Sequence, residues 1–369
     1  MGRNLRTFAG NRSCEEIKPV LMKTIHTALL SFGMSGRVFH APFITLHQGF
    51  TLAGAWERSQ HLIQDTYPDV CSYPTLEALL TDDSVELVVV NTPTYTHYEY
   101  AAKALEAGKH IIVEKAFTTT VAEAEALKRL AAKNGKQIAV FQNRRWDSDF
   151  LTVKSVIESG ILGHICEMEL HYDRFNLTLS PKKHKEVPNP GSGIVKDLGS
   201  HIIDQAINLF GMPASLFADL RITRPESVVD DYLDVLLMYP DLRIRLKAGY
   251  IVKEPVPSFI VHGTKGSFLK SRADVQETLL QQGFTPDTPD WGAEPQSEQG
   301  LLTYGENGET MRRKIESRNG NYFRFYEGVY DALNMGKAMP VTADDGIRVM
   351  KIIEAIAKSH AEKRVVDIH

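Results

Sequence analysis

Asp197, His201 and Asp204 stand at i, i+4 and i+7 in the segment 191–205, so on a helix they share one face. A buried polar stripe is costly unless it is partnered, which points to a functional reason for it. Three readings fit the spacing: a metal site, a structural histidine, and general acid–base chemistry at His201. No second His or Cys cluster lies nearby to complete a metal site. An imidazole titrates near neutrality, so the pattern favours acid–base work. A second candidate is Lys115, which with Glu114 directly follows the apolar run 110–113. A lysine at the carboxyl end of a strand in an open α/β sheet faces the ligand crevice; otherwise it is a surface cation paired with Glu114.

The third candidate is the turn Ser31-Phe32-Gly33-Met34-Ser35-Gly36, after the first strand-like run. A dinucleotide turn uses glycines for tight bending, close approach to a pyrophosphate and helix packing. Here Ser31 replaces the first glycine, leaving Gly33 and Gly36. Glu57 closes the second apolar run, where a carboxylate can bind the adenine ribose hydroxyls, and Arg58 follows it. The acid favours NAD, while the arginine could instead neutralise the extra phosphate of NADP. NAD is slightly favoured.

These groups need elements to hold them. Apolar runs at 25–30, 50–56, 85–90, 110–113 and 137–141 read as strands, and the segments 95–108 and 121–134 carry helical spacing. The alternation predicts a parallel, doubly wound sheet flanked by helices. Beyond Phe141 the order changes. A helix (148–158) and a long strand (165–175) precede a polar loop (180–190) and a helix (197–210). Strands follow at 216–223, 231–239, 243–250 and 259–262. Consecutive strands with short turns predict an α+β half with a large, mainly antiparallel sheet. The Gly-, Pro- and Gln-rich stretch 281–308 reads as an excursion with little regular structure, and helices near 322–335 and 343–360 close the chain.

The chain has 369 residues, a length that suits two domains. A net charge of −4 gives no reason to expect nucleic acid or an anionic membrane, and no apolar run approaches the ~20 residues of a membrane span. Cys14, Cys71 and Cys166 are widely spaced and odd in number, which fits a reducing, cytoplasmic compartment better than a disulfide framework. Residues 1–21 are polar and precede Met22, so they are expected to be a dispensable extension.

Taken in order, several motifs resemble the glucose–fructose oxidoreductase / inositol dehydrogenase (Gfo/Idh/MocA) family from about Met22 onward. They are the 31–36 turn, Asn91-Thr92-Pro93 with His97, Ala107-Gly108-Lys109-His110 leading to Glu114-Lys115, Asp197-x-x-x-His201, and His262-Gly263-Thr264-Lys265-Gly266. The resemblance implies a Rossmann domain over 22–142 and a substrate-binding, dimerising α+β domain over 143–369. It also implies NAD(P)-dependent hydride transfer on a sugar, cyclitol or related polyol, in a homodimer or higher homo-oligomer. Lys115, Asp197 and His201 match the family's catalytic positions. Phe32, Gly33, Met34, Ser35, Gly36, Glu57, Arg58, Asn91, Thr92, Pro93, His97, Glu114 and Asn143 are then expected around the cofactor. Arg145, Trp146 and Tyr172 are expected near the substrate, although a strand tyrosine suits the core or an interface equally well. Lys182-Lys183-His184-Lys185 suggests an anionic substrate group, although a solvated loop is the favoured reading. Ala116 replaces the family's proline, so the Lys115–Ala116 peptide is expected to be trans. The competing readings are a non-catalytic NAD(P)-binding regulator, and a lyase or hydrolase that uses tightly held NAD transiently.

Overall fold

The computed structural model describes residues 23–58 and 61–368; the expectation for residues 1–21 lies outside them. Six parallel strands form the first sheet: β1 (Ile25–Leu29), β2 (Phe50–Trp56), β3 (Cys71–Tyr73), β4 (Leu87–Val90), β5 (His110–Glu114) and β6 (Ile138–Phe141), in the order β3-β2-β1-β4-β5-β6. The central strands are apolar along their length because helices cover both faces; Val88, Val89, Val90, Ile111, Ile112 and Val113 are all fully buried. The strand order reverses between β1 and β4, which opens a crevice at their carboxyl ends. Helix His97–Glu106 ends at Gly108, which holds φ +74°.

The second sheet has nine strands: β7 (Ile165–Asp173), β8 (Ser215–Arg221), β9 (Tyr232–Met238), β10 (Arg243–Gly249), β11 (Phe259–Gly263), β12 (Gly266–Lys270), β13 (Gly300–Glu306), β14 (Glu309–Ile315) and β15 (Val366–Asp367). Their order is β14-β13-β12-β11-β7-β10-β9-β8-β15, and every pairing is antiparallel except β7 with β10. Met168, Leu170 and Tyr172 alternate onto the buried face of β7, under helix Ser200–Phe210. The stretch 281–308 departs from expectation: its second part is β13, hydrogen-bonded to β12 and β14, with Leu302 in the core.

The two sheets share a core. Helix Phe323–Met335 sits beneath the segment after β1, where Phe43 stacks on Tyr326 at 5.4 Å and Phe141 meets Phe325 edge-on at 4.9 Å. Val140 N donates to the Val341 carbonyl, and helix Ala343–Glu362 packs on both helix Val121–Lys133 and β8.

Candidate active site

A cleft of about 790 Å³ runs along the carboxyl ends of the first sheet to the second sheet. That volume suits a small-molecule site. Ser31, Gly33, Met34 and Ser35 line it after β1, Asn91, Thr92 and Pro93 after β4, Glu114 and Lys115 after β5, and Asn143 after β6. Tyr172, Asp197 and His201 form part of its second-sheet wall, and Arg58 also lines it. Residues from both halves of the sequence thus meet in one concavity.

Lys115 Nζ donates to the Asp197 carbonyl at 2.8 Å and to its carboxylate Oδ1 at 3.0 Å. Lys185 Nζ donates to both Asp197 carboxylate oxygens at 2.9 Å. Burial alone would push the Asp197 carboxyl up, but the two ammonium groups overcome it and hold the group far below the usual carboxylate range. Glu114 Oε2 accepts the Lys115 N–H at 3.1 Å, while Oε1 accepts from Ser35 Oγ and lies 3.2 Å from His40 Nε2. Burial again opposes ionisation, yet His40, the Ser35 hydroxyl and Lys115 bring Glu114 down to about 2. His40 Nδ1 is 2.8 Å from the Tyr326 hydroxyl, so the base of Lys115 is tied to the helix from the second half.

His201 is buried beside Tyr172, with ring centroids 6.3 Å apart. Its Nδ1 is buried with no hydrogen-bond partner among the described residues. Burial, then Lys115 and Arg144, lower its pKa well below the usual histidine value, against a smaller opposing effect of Asp197. The imidazole is therefore neutral at pH 7 and able to accept a proton.

A π-helical turn, Val195–Gly199, carries Asp197 into the α-helix that holds His201. Such turns shift side chains off the regular helical face and recur at functional sites. Gly193 precedes it at φ +91°, where a Cβ would overlap the Asp230 carboxylate. Asp204 does not share the cleft face: Arg145 clamps it, Nε to Oδ2 at 2.8 Å and Nη2 to Oδ1 at 2.7 Å.

Several other expected site residues lie elsewhere. Arg145 is taken up by Asp204, and Trp146 packs edge-on against Phe325 rather than lining the cleft. His97 is fully buried and its ring nitrogens face carbonyls, Nε2 that of Thr92 at 2.8 Å and Nδ1 that of Ala116 at 3.0 Å. It fastens the strand ends that carry the site. Phe32 is in the core against Tyr67, and Gly36 is required for packing, since a Cβ would meet the Ser31 carbonyl. The Glu57 carboxylate accepts the N–H groups of Leu62 and Ile63 at 3.2 and 3.1 Å, capping the short helix Leu62–Thr66. The Lys115–Ala116 peptide is cis, contrary to expectation; the carbonyl that faces His97 is that of Ala116, in the following peptide. The basic run is not simply solvated either, because Lys182, His184 and Lys185 line the cleft.

Sequence reasoning missed Arg144, Arg174, Tyr250 and Glu277, which also line the cleft. The two-residue alternation that turns Tyr172 inward also predicts Arg174. Arg144 donates to the Tyr322 hydroxyl at 2.8 Å and pairs with Glu277, a long-range contact with no local signal.

Comparison with known proteins agrees with this architecture. Residues 25–142 match the family model described as the oxidoreductase family NAD-binding Rossmann fold, and residues 154–368 match its C-terminal alpha/beta domain. The chain is 36% identical to the scyllo-inositol 2-dehydrogenase (NADP(+)) IolW of Bacillus subtilis over 343 residues, covering 93% of this chain and 96% of that protein. An oxidoreductase from Bacteroides fragilis superimposes with a TM-score of 0.86 at 43% identity, covering 94% of this chain and all of that one. The yvaA oxidoreductase of Bacillus subtilis gives 0.91 at 36% identity, covering 94% and 99%. The chain belongs to the Gfo/Idh/MocA family of NAD(P)-dependent oxidoreductases.

Proposed function

We propose that this enzyme interconverts a secondary hydroxyl and a ketone on a sugar- or cyclitol-like substrate, with NADP as the preferred cofactor. The observation that carries the reading is Lys115 bound at once to the main chain and carboxylate of Asp197, in the same cleft as a neutral His201. The first-sheet side of that cleft suits a dinucleotide: Gly33 leaves its Cβ direction open apart from the Ser31 hydroxyl, and Asn91 Oδ1 is buried without a donor among the described residues. A bound nicotinamide would supply the hydride acceptor or donor. Within the chain, His201 takes the hydroxyl proton as the carbinol is oxidised, and the Lys115 ammonium stabilises charge on the same oxygen. Asp197 fixes Lys115 and, through Lys185, the loop that walls the substrate space.

Glu57 is occupied by backbone N–H groups, whereas Arg58 is exposed at the cleft, an arrangement that supports binding of a 2′-phosphate and reverses the slight sequence-based preference for NAD. The relative IolW is itself named as NADP(+)-dependent. Assembly as a homodimer through the outer face of the second sheet accords with exposed Phe217 beside half-buried Leu236 there; light scattering on the purified protein measures it. The functional test is absorbance at the reduced-nicotinamide band over a panel of polyols with NADP and with NAD. Net reduction, faster with NADP, is the expected result. Turnover without net reduction would instead indicate transient oxidation, and nucleotide binding with no turnover a regulator.

A further inference from the structure

The second-sheet wall of the cleft carries more positive charge than its carboxylates consume. Asp197 is held by Lys115 and Lys185, Glu277 by Arg144, and Glu186 by Arg224 at 3.0 Å. Three further cations line the same wall, of which Lys196 is taken up by the carbonyls of Thr119 and Pro190, leaving two. Arg174 follows β7, and Lys182 lies in the loop before the short helix Lys183–Glu186. Neither forms an ion pair with a carboxylate among the described residues. The Arg174 guanidinium lies 5.2 Å over the Tyr172 ring and is hydrogen-bonded to that side chain, which leaves its remaining N–H donors for an anion. Both groups feel the charge of Asp197, which places them around the reacting end of the cleft, whereas Arg58 serves the dinucleotide side.

We infer that the substrate carries an anionic group, a carboxylate or a phosphate, gripped by Arg174 and Lys182 while its hydroxyl faces Lys115 and His201. The inference rests on the oxidoreductase reading above and narrows it from polyols in general to sugar acids or sugar phosphates. Two supporting facts concern Lys182. Burial and the neighbouring Lys185 and Lys115 ammonium groups lower its pKa, an arrangement relieved by an incoming anion. The loop that bears it is also anchored from both sides of the site, by Lys185 on Asp197 and by Glu186 on Arg224. The two cations are therefore presented by a fixed wall.

The test is calorimetric titration of the NADPH-saturated protein with inorganic phosphate and, separately, with glycolate as a minimal hydroxy acid. Saturable millimolar binding of at least one anion is expected, and the tighter of the two tells a phosphate ester from a carboxylate. Arg174→Gln and Lys182→Gln should each weaken that binding roughly tenfold or more, as for loss of a charge-assisted hydrogen bond, while Lys182→Arg keeps it. Both side chains reach the cleft surface, and circular dichroism of each variant verifies that it is folded. Absence of anion binding to the wild-type protein, or equal binding by wild type and both Gln variants, would overturn the inference. Failure of NADPH to bind would instead sink the dinucleotide reading, and the same titrations on the cofactor-free protein would still decide the anion question.

Discussion

Lys115 is set by its backbone as much as by its charge. Glu114 holds its N–H, and Asp197 holds its Nζ through both main chain and carboxylate. Lys115→Met and His201→Ala are each expected to lower kcat by at least ~10²-fold, the scale of lost acid–base assistance, with NADPH affinity near wild type. Single-turnover rates and cofactor fluorescence separate the two effects. Glu114 gives a pH signature. Its folded pKa of about 2 lies below the ordinary 4.5, so its contribution to stability is full above 4.5 and disappears as pH falls towards 2. The urea midpoints of wild type and Glu114→Gln should therefore differ near neutrality and converge over that acid range. Glu57 is a cap, so Glu57→Ala is expected to cost about 0.5–2 kcal/mol of stability with little change in NADP preference. The converse holds for Arg58→Ala: weaker NADP binding, unchanged NAD binding, and unchanged stability.

At the scale of the element, the helix that carries His201 depends on a contact outside the cleft. Arg145→Ala would leave Asp204 buried without its partner, a loss of about 3–5 kcal/mol that denaturant unfolding would reveal. The strands of the first sheet were legible because buried parallel strands are continuous apolar runs, as at 87–90 and 110–113. β3 escaped notice, with only three residues and a half-exposed pattern. β13 and β14 were hidden for another reason: β14 is an edge strand exposed on both faces, so its sequence shows no apolar alternation. Spacing and resemblance singled out Lys115, Asp197 and His201, and the structure brings all three to one cleft. His97 and Trp146 were misplaced because a polar or aromatic side chain near a motif can equally serve to fasten it. Lys185 and Arg144 owe their places to partners far along the chain, and local sequence carries no mark of that.

Across the whole molecule the two sheets are not separable bodies joined by a linker. Phe39 and Phe43 after β1 pack on Tyr322 and Tyr326, while Phe141 packs on Phe325. The division at residue 142 into cofactor and substrate domains is thus proposed as a division of labour rather than of folding. A fragment of residues 23–142 should expose this aromatic face, bind a hydrophobic dye and aggregate, whereas the full chain should unfold in one transition. A fragment that stayed monomeric, dye-negative and cooperatively folded would show the shared core to be dispensable.

The bond from Val140 N to the Val341 carbonyl sets a schedule for synthesis. About 200 residues separate these partners along the chain. At roughly 5–20 residues per second, the face around Phe39, Phe43 and Phe141 stays uncovered for roughly 10–40 s on the ribosome before its aromatic partners emerge. The nascent first sheet is therefore expected to be aggregation-prone throughout that interval, and slowing translation after residue 142 should lower the soluble yield without changing the finished enzyme.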